Sequence, residues 1–324
     1  MNPNDQRIAA EQLQNFLRLS KGEFEKCLSP GLCCEDSAIR AHTVQNSRVL
    51  DMLVEDGHVI RLKMYPVLGG EPDIRFRRIN RNEAMTFRGL CADHDREIFC
   101  EIDNNYVSLS NRMHLFLLSY RSVLRELHAC MSAAVKIQSA YRWRVDTGKD
   151  PKDEPSEAGI FAVQRFIIAY ETNNFKERFD VAFAKKDWRA VCHKVFNIHT
   201  ERPCIAASAL FSVDECDVDD DVLRIALNIF PTSEHFTYVI FSYLKSDAMV
   251  ALKFLKQVIK TSRKVVKYKI SQLVIERTEN FVISPAHFDL WSEEKKHLIK
   301  TFYRNTLFQN SEDVFPRESC LFDT

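Results

Sequence analysis

Three cysteines crowd a single turn near the start of this chain. Cys27, Cys33 and Cys34 surround Pro30-Gly31, so their thiols can converge on one point. Much further along, Cys91-Ala-Asp-His94 supplies a second close pair of soft donors, just where Asp95-Arg-Glu-Ile-Phe reads as a first helical turn. A structural zinc ion wants four nitrogen or sulfur ligands in a tetrahedron, commonly as two close pairs. Few other features restrict a fold as strongly, because such a site forces two distant stretches of chain to meet. Cys27, Cys91 and His94 are the expected ligands, and the fourth is either Cys33 or Cys34. The competing reading is that these are inert buried thiols.

A close pair on a turn, a hairpin, and a second pair opening a helix together describe a treble clef. The rest of the chain supports an α+β class with more helix than strand. Residues 5–20 carry helical spacing through Ile8, Leu13, Phe16, Leu17 and Leu19. Short strands are expected between Cys27 and Glu101, and a long helix from Ser108 to Val145. Asp146 to Gly159 holds two prolines, two glycines and many charges, which predicts a hinge. Helical periodicity resumes from Ile160 to about His193. Strands are expected at Ile205–Phe211, Val222–Phe230, Thr237–Tyr243 and around Ile270–Ile275, with helices at Ala248–Thr261 and Ser292–Asn305. Three regions follow: a zinc-binding module over 1–103, a helical region over 104–200, and a mixed α+β domain over 201–324.

Bulk chemistry narrows the class of function. Lys+Arg and Asp+Glu are equal at 45 each, so no global charge draws the protein to nucleic acid, although a local basic patch can. Only 8 glycines are present, with neither GxGxxG nor a GxxxxGK loop, which argues against a phosphate-cradling nucleotide site. The polar first residues predict no signal peptide, and no apolar run reaches the ~20 residues that cross a bilayer. A soluble, cytoplasmic protein without a membrane partner is the expectation.

His42 sits in Ala38-Ile-Arg-Ala-His42-Thr-Val-Gln, a short strand-like run just after the cysteine turn. Followed by Gly89-Leu-Cys91-Ala-Asp-His94-Asp95, it resembles the HNH endonuclease superfamily, whose zinc-bearing members place a ββα-metal nuclease site on a treble clef. The resemblance covers Cys27 to about Asp103. It implies His42 as the general base that activates water, a role suited to an imidazole. It also implies a divalent cation, Mg²⁺, at the leaving oxygen, Asp95 as a metal-binding residue, and Asn80 or Asn82 as the asparagine that orients the base. The sequence departs from the pattern at Ala41, where an acid or histidine commonly precedes the base, and at Phe99, where a last metal-binding histidine would fall. For His42 a role as zinc ligand, as a hydrogen-bond support to the zinc ligands, or as a hydrogen-bonded structural histidine therefore stays open.

Two functions follow from different classes. One is a metal-dependent nuclease acting on DNA or RNA, which the resemblance would place in bacterial or mobile-element defence. The other is a non-catalytic, zinc-stabilised module that binds nucleic acid or protein. Arg75-Phe-Arg77-Arg78 with Arg81 and Arg88 is the one concentrated basic stretch, and it could grip phosphates or simply face solvent beside Asp73 and Glu83. Weaker signals read as structure: His58 belongs to an Asp56-Gly57 turn, Ile137-Gln138 with Arg142 is an incomplete IQ-like match on a packing helix, and Asp214–Asp221 is a solvated acidic loop.

Overall fold

The computed structural model describes residues 22–67, 70–213, 222–259, 262–307 and 314–324. The helix expected over 5–20 and the acidic run 214–221 lie outside those residues. The class is α+β. Strands β1 (Ala41–His42), β2 (His58–Tyr65), β3 (Asp73–Asn80) and β4 (Thr86–Phe87) precede helix α1 (Ala92–Asn104). Two long helices follow, α2 (Arg112–Asp146) and α3 (Glu157–Ala184). Then come β5 (Val191–His199), β6 (Ile205–Val213), β7 (Leu223–Ser233) and β8 (Phe236–Leu244), α4 (Ala248–Ile259), α5 (Arg263–Arg277), β9 (Phe281–Ile283), α6 (Pro285–Phe288) and α7 (Glu293–Thr306).

Two sheets result. β1 and β4 pair alone, Ala41 opposite Phe87 and His42 opposite Thr86. The other strands form one antiparallel sheet in the order β3-β2-β9-β6-β7-β8-β5. The β2–β3 hairpin, which lies between β1 and β4 in sequence, thus joins a sheet otherwise built from residues 191–283. Among the described residues its strand pairing to that sheet is made through β9, with Ile60 opposite Ile283. Asp56 (φ 50°) and Gly57 (φ 73°) bring the chain into β2 through a tight turn closed by mutual hydrogen bonds between Glu55 and His58. Both central residues being left-handed is the signature of a type I′ turn, for which Asp-Gly is favoured.

The central strand β6 reads Ile-Ala-Ala-Ser-Ala-Leu-Phe-Ser-Val, with little alternation, because both of its faces are covered. Ala206 and Leu210 turn to one cluster with α2, α3 and the cysteine-bearing region. Ile205, Ala207 and Phe211 turn to a second cluster with α4, α5 and α7. Three layers are thereby formed. Small polar groups stitch the middle: Ser122 of α2 meets Ser208 Oγ at 3.0 Å, and Asn280 donates to Ser208 O and to Thr43 Oγ1, both at 3.0 Å. The last of these ties the residue next to His42 to the large sheet.

Two expectations need correction. Ile270–Ile275 is not a strand but the middle of α5, where Ile270, Ser271, Val274 and Ile275 are buried at helical spacing. Helical structure also stops at Ala184, short of His193. Lys186 there adopts φ 53°, and Val191–His199 forms β5 against β8. The other expected elements match: β6, β7, β8, α2, α4 and α7 fall where periodicity placed them. Ser292 caps α7 by accepting from Lys295 N at 3.1 Å, with Glu293 and Glu294 in the first turn.

Candidate metal centre and its surroundings

The cysteine turn is a small ladder of its own. Lys26 bridges Ser37, Cys27 N donates to Asp36 O at 3.2 Å, and Ala38 N donates to Glu25 O at 2.7 Å. At its tip Gly31 (φ 74°) and Leu32 (φ 53°) are both left-handed, closed by Leu32 N donating to Ser29 O. Two further backbone bonds, Leu28 N to Gly89 O and Ile39 N to Leu90 O, each 2.7 Å, lay this ladder against the approach to α1. Gly89 is required there, since a Cβ would collide with the Phe87 ring.

These contacts gather Cys27, Cys34, Cys91 and His94, whose donor atoms all lie within 4.8 Å of one another. Cys34 Sγ is 3.9 Å from Cys91 Sγ, and His94 Nδ1 is 3.6 Å from Cys27 Sγ and 3.1 Å from Cys91 Sγ. A zinc tetrahedron with ~2.3 Å sulfur and ~2.0 Å nitrogen bonds has edges of about 3.5–3.8 Å. The donor set and its spacing are consistent with zinc. Cys91 N also donates to Cys27 Sγ at 3.2 Å, an amide aimed at a sulfur that a bound cation would keep as thiolate. Cys33 lies apart: it is exposed, with Sγ 3.8 Å from Pro30 O.

Protonation bears on the same point. A backbone hydrogen bond at Asp36 favours the Cys34 thiolate, but partial burial and the neighbouring Cys27 and Cys91 thiols outweigh it and push Cys34 up to about 12. Burial opposes ionisation of Cys91, yet hydrogen bonds from His94, Cys27 and Cys34 prevail and lower it. Crowded thiols resist ionising together unless a cation shares the site, and a divalent ion reverses that balance.

His42 lies close by on β1. Its Nε2 is 3.2 Å from Arg81 O, an arrangement in which Nε2–H donates to the carbonyl and Nδ1 keeps the lone pair. Burial holds its pKa below the ordinary histidine value, which favours the neutral ring. Asp95 sits in the first turn of α1, where burial raises its carboxyl and the Arg121 guanidinium opposes the rise. Both residues feel one ion pair that inspection of the sequence missed. Arg121, only 2% exposed, grips Asp103 with two hydrogen bonds of 2.8 and 2.6 Å and stacks on Phe99 at 4.1 Å. Gln45 caps the end of α1 by donating to Asn105 O at 2.8 Å. Asn82 is exposed, and its amide N–H donates to Asn80 Oδ1 at 2.9 Å. Among the described residues, the Cys27–His94 group is the one cluster able to hold a metal, so no second set of donors gathers beside His42.

The basic stretch divides in two. Arg78 pairs with Asp289 and Glu55, Arg81 with Asp51, and Arg88 with Glu25. Arg75 and Arg77 lie on the other face of the hairpin from Arg78. The register sets Arg77 opposite Arg61 and Arg75 opposite Lys63, all on the face that carries Tyr65. Lys63, Arg75 and Arg77 lie 5.4, 5.5 and 5.5 Å from the Tyr65 ring centre. Asp73, paired with Arg75, is the acidic member of that face. Alternation along Val59-Ile-Arg-Leu-Lys-Met-Tyr was the signal that could have added Arg61 and Lys63 to the set.

Comparisons with protein-family models, curated proteins and solved structures gave no match. The site therefore speaks through its own geometry. A separate cavity of about 350 Å³, lined by Arg125, Glu126, Cys130, Arg165, Glu279 and Tyr303, opens between α2, α3 and the ends of α5 and α7. Charges of both signs line it, and none of the Cys27–His94 cluster is among its lining residues. No helix among the described residues is long and apolar enough to cross a membrane.

Proposed function

We propose that residues 27–103 form a treble-clef zinc module of HNH-like layout whose role is to bind nucleic acid through the inserted β2–β3 hairpin. The treble-clef reading is supported by the order of parts: cysteine turn, β1/β4 hairpin, then α1 opening on Cys91 and His94. Zinc is the ion that suits three sulfurs and one imidazole nitrogen.

One observation carries the nucleic-acid reading. Like charges set directly opposite across strands destabilise a hairpin, yet here Arg61 faces Arg77 and Lys63 faces Arg75. Such a surface is relieved by an anion. With the Tyr65 ring among these cations the face suits a phosphate backbone carrying bases that stack. The Arg75→Ala, Arg77→Ala double variant is expected to bind single-stranded DNA or RNA roughly ten- to a hundredfold more weakly at ~0.1 M salt, and to flatten the logarithmic salt dependence by about 2. Fluorescence anisotropy across a salt series reads both quantities. Arg78→Ala, which removes a paired arginine from the other face of the hairpin, is the control. Wild-type protein that binds no nucleic acid, or a salt slope unmoved by the double variant, rejects the reading.

A second reading, phosphodiester cleavage, is favoured by His42 alone: a neutral imidazole with one nitrogen fixed by a carbonyl and the other left to accept a proton. Against it stand Ala41 and Phe99, which cannot bind metal, and, among the described residues, the lack of a second donor cluster beside His42. Plasmid, single-stranded DNA and RNA incubated with Mg²⁺ or Mn²⁺ are expected to remain uncut. Cleavage that His42→Ala abolishes would replace the binding module with a nuclease.

A further inference from the structure

The helical pair α2–α3 changes character along its length. Near the sheet both helices are deeply buried, but beyond Ala134 no residue of α2 is buried. Opposite that half, the first part of α3 buries only Ala162 and Ala169. The distal helices still hold to each other: Thr172 Oγ1 lies 3.8 Å from Cys130 Sγ, and at the far end Gly159 leaves room for the Tyr141 ring, 3.1 Å from where a Cβ would stand. They form an arm.

The outward face of that arm is apolar. Ile160, Val163, Ile167 and Tyr170 are 52%, 58%, 46% and 60% exposed, and Phe166 beside them is 56% exposed. Their spacing of three, four and three residues is a heptad seam, with Asn174 at the next core position. Ala162, Ala169 and Thr172, which face inward, lie on the opposite side of the same helix. A helix apolar on both sides is normally covered on both sides.

Size points to what covers it. Five half-exposed side chains of this kind present on the order of 500 Å² of apolar area, taking ~150–250 Å² for each aromatic. A stable interface of ordinary size needs about 800 Å² per partner, rather more than half of it apolar. The seam alone supplies that apolar share, and it is self-complementary when two copies run antiparallel. Ile160 then meets Tyr170 of the second copy, Val163 meets Ile167, and Phe166 lies beside its own equivalent at the twofold axis. We propose that α3 is a dimerisation seam, through which two copies of this chain close their arms into a four-helix bundle.

Sedimentation velocity on the full chain from ~1 to ~100 μM tests this. A species of twice 37.7 kDa is expected for the wild type. The Val163→Glu, Ile167→Glu variant, which sets unpaired charges in the seam, is expected to raise the dimer dissociation constant at least a hundredfold while its monomer stays folded with a wild-type far-UV circular dichroism spectrum, because both residues are exposed on the single chain. Independently, Phe166→Cys in a Cys33→Ser background should form a disulfide-linked dimer on mild oxidation, and Cys33→Ser alone should not. Wild type that stays monomeric throughout, whatever else the face binds, overturns the proposal. So does a dimer that persists in the double glutamate variant, or Phe166→Cys protein that fails to cross-link.

Discussion

Replacing Cys91 by Ser is expected to release the metal and unfold the module around it. Structural zinc sites contribute folding free energy of about 10–16 kcal/mol in isolated fingers. Here part of the module is also held by apolar contacts, since Leu28, Leu90, Ile98 and Phe99 belong to the main core. The loss should therefore be smaller but still large, roughly 5 kcal/mol or more, which for a domain of this size lowers Tm by on the order of 10 °C. Metal analysis should find one zinc per chain in the wild type and in Cys33→Ser, and none in Cys34→Ser or Cys91→Ser. Hydrogen exchange should localise the damage to residues 25–104. A wild-type protein without metal, or a Cys91→Ser variant of unchanged stability, would remove the zinc premise.

The second large effect lies behind the cysteine turn. Lys176 of α3 is fully buried; its Nζ donates to Asp180 Oδ2 at 2.7 Å and to Ser29 O at 2.9 Å. Asp180 also accepts from Tyr120 OH at 2.6 Å and from Gly31 N at 3.3 Å. The network therefore bolts the turn that presents Cys27 and Cys34 onto both long helices. Asp180→Ala leaves a buried ammonium without its counter-charge, a lesion that typically costs about 3–5 kcal/mol. Burial already holds the Lys176 pKa below the ordinary lysine value, and losing the carboxylate would lower it further. Calorimetry should register a Tm drop of roughly 10 °C. Because the turn loses its anchor, zinc affinity should fall about 10–100-fold as well. Adding Lys176→Met should restore part of the stability but not the affinity. An Asp180→Ala loss under about 1 kcal/mol would show that the pair matters little.

Neither half of that network could be read from the sequence, for a physical reason. Lys176 and Asp180 look like an ordinary i,i+4 surface pair, and what buries them is a turn far away in the chain. Donor types at the metal centre were legible because cysteine and histidine spacing is local chemistry. The choice of Cys34 over Cys33 was not. It depends on Gly31 and Leu32 both taking left-handed backbone, which rotates one thiol inward and the other out. Strands β6 to β8 announced themselves through apolar runs between turns. Helix α5 did not, because the β-branched residues in Lys-Ile-Ser-Gln-Leu-Val-Ile argue for a strand, while Val266, Ile270 and Val274 keep helical spacing. The exposed seam on α3 has the periodicity of a buried face, so spacing alone gives the helix and not its exposure.

The short strand β9 has a consequence for how a new chain reaches this structure. Ile60 finds its partner Ile283 only 223 residues later in synthesis. At ~5–20 residues per second, the β2–β3 hairpin waits about 10–45 s on the ribosome with its β2 edge unpaired. During that interval, edge-to-edge aggregation is opposed by the same Arg61, Lys63, Arg75 and Arg77, because crowded positive charge on a strand pair discourages a second strand from docking. The charges that dress the mature hairpin thus also guard the nascent one.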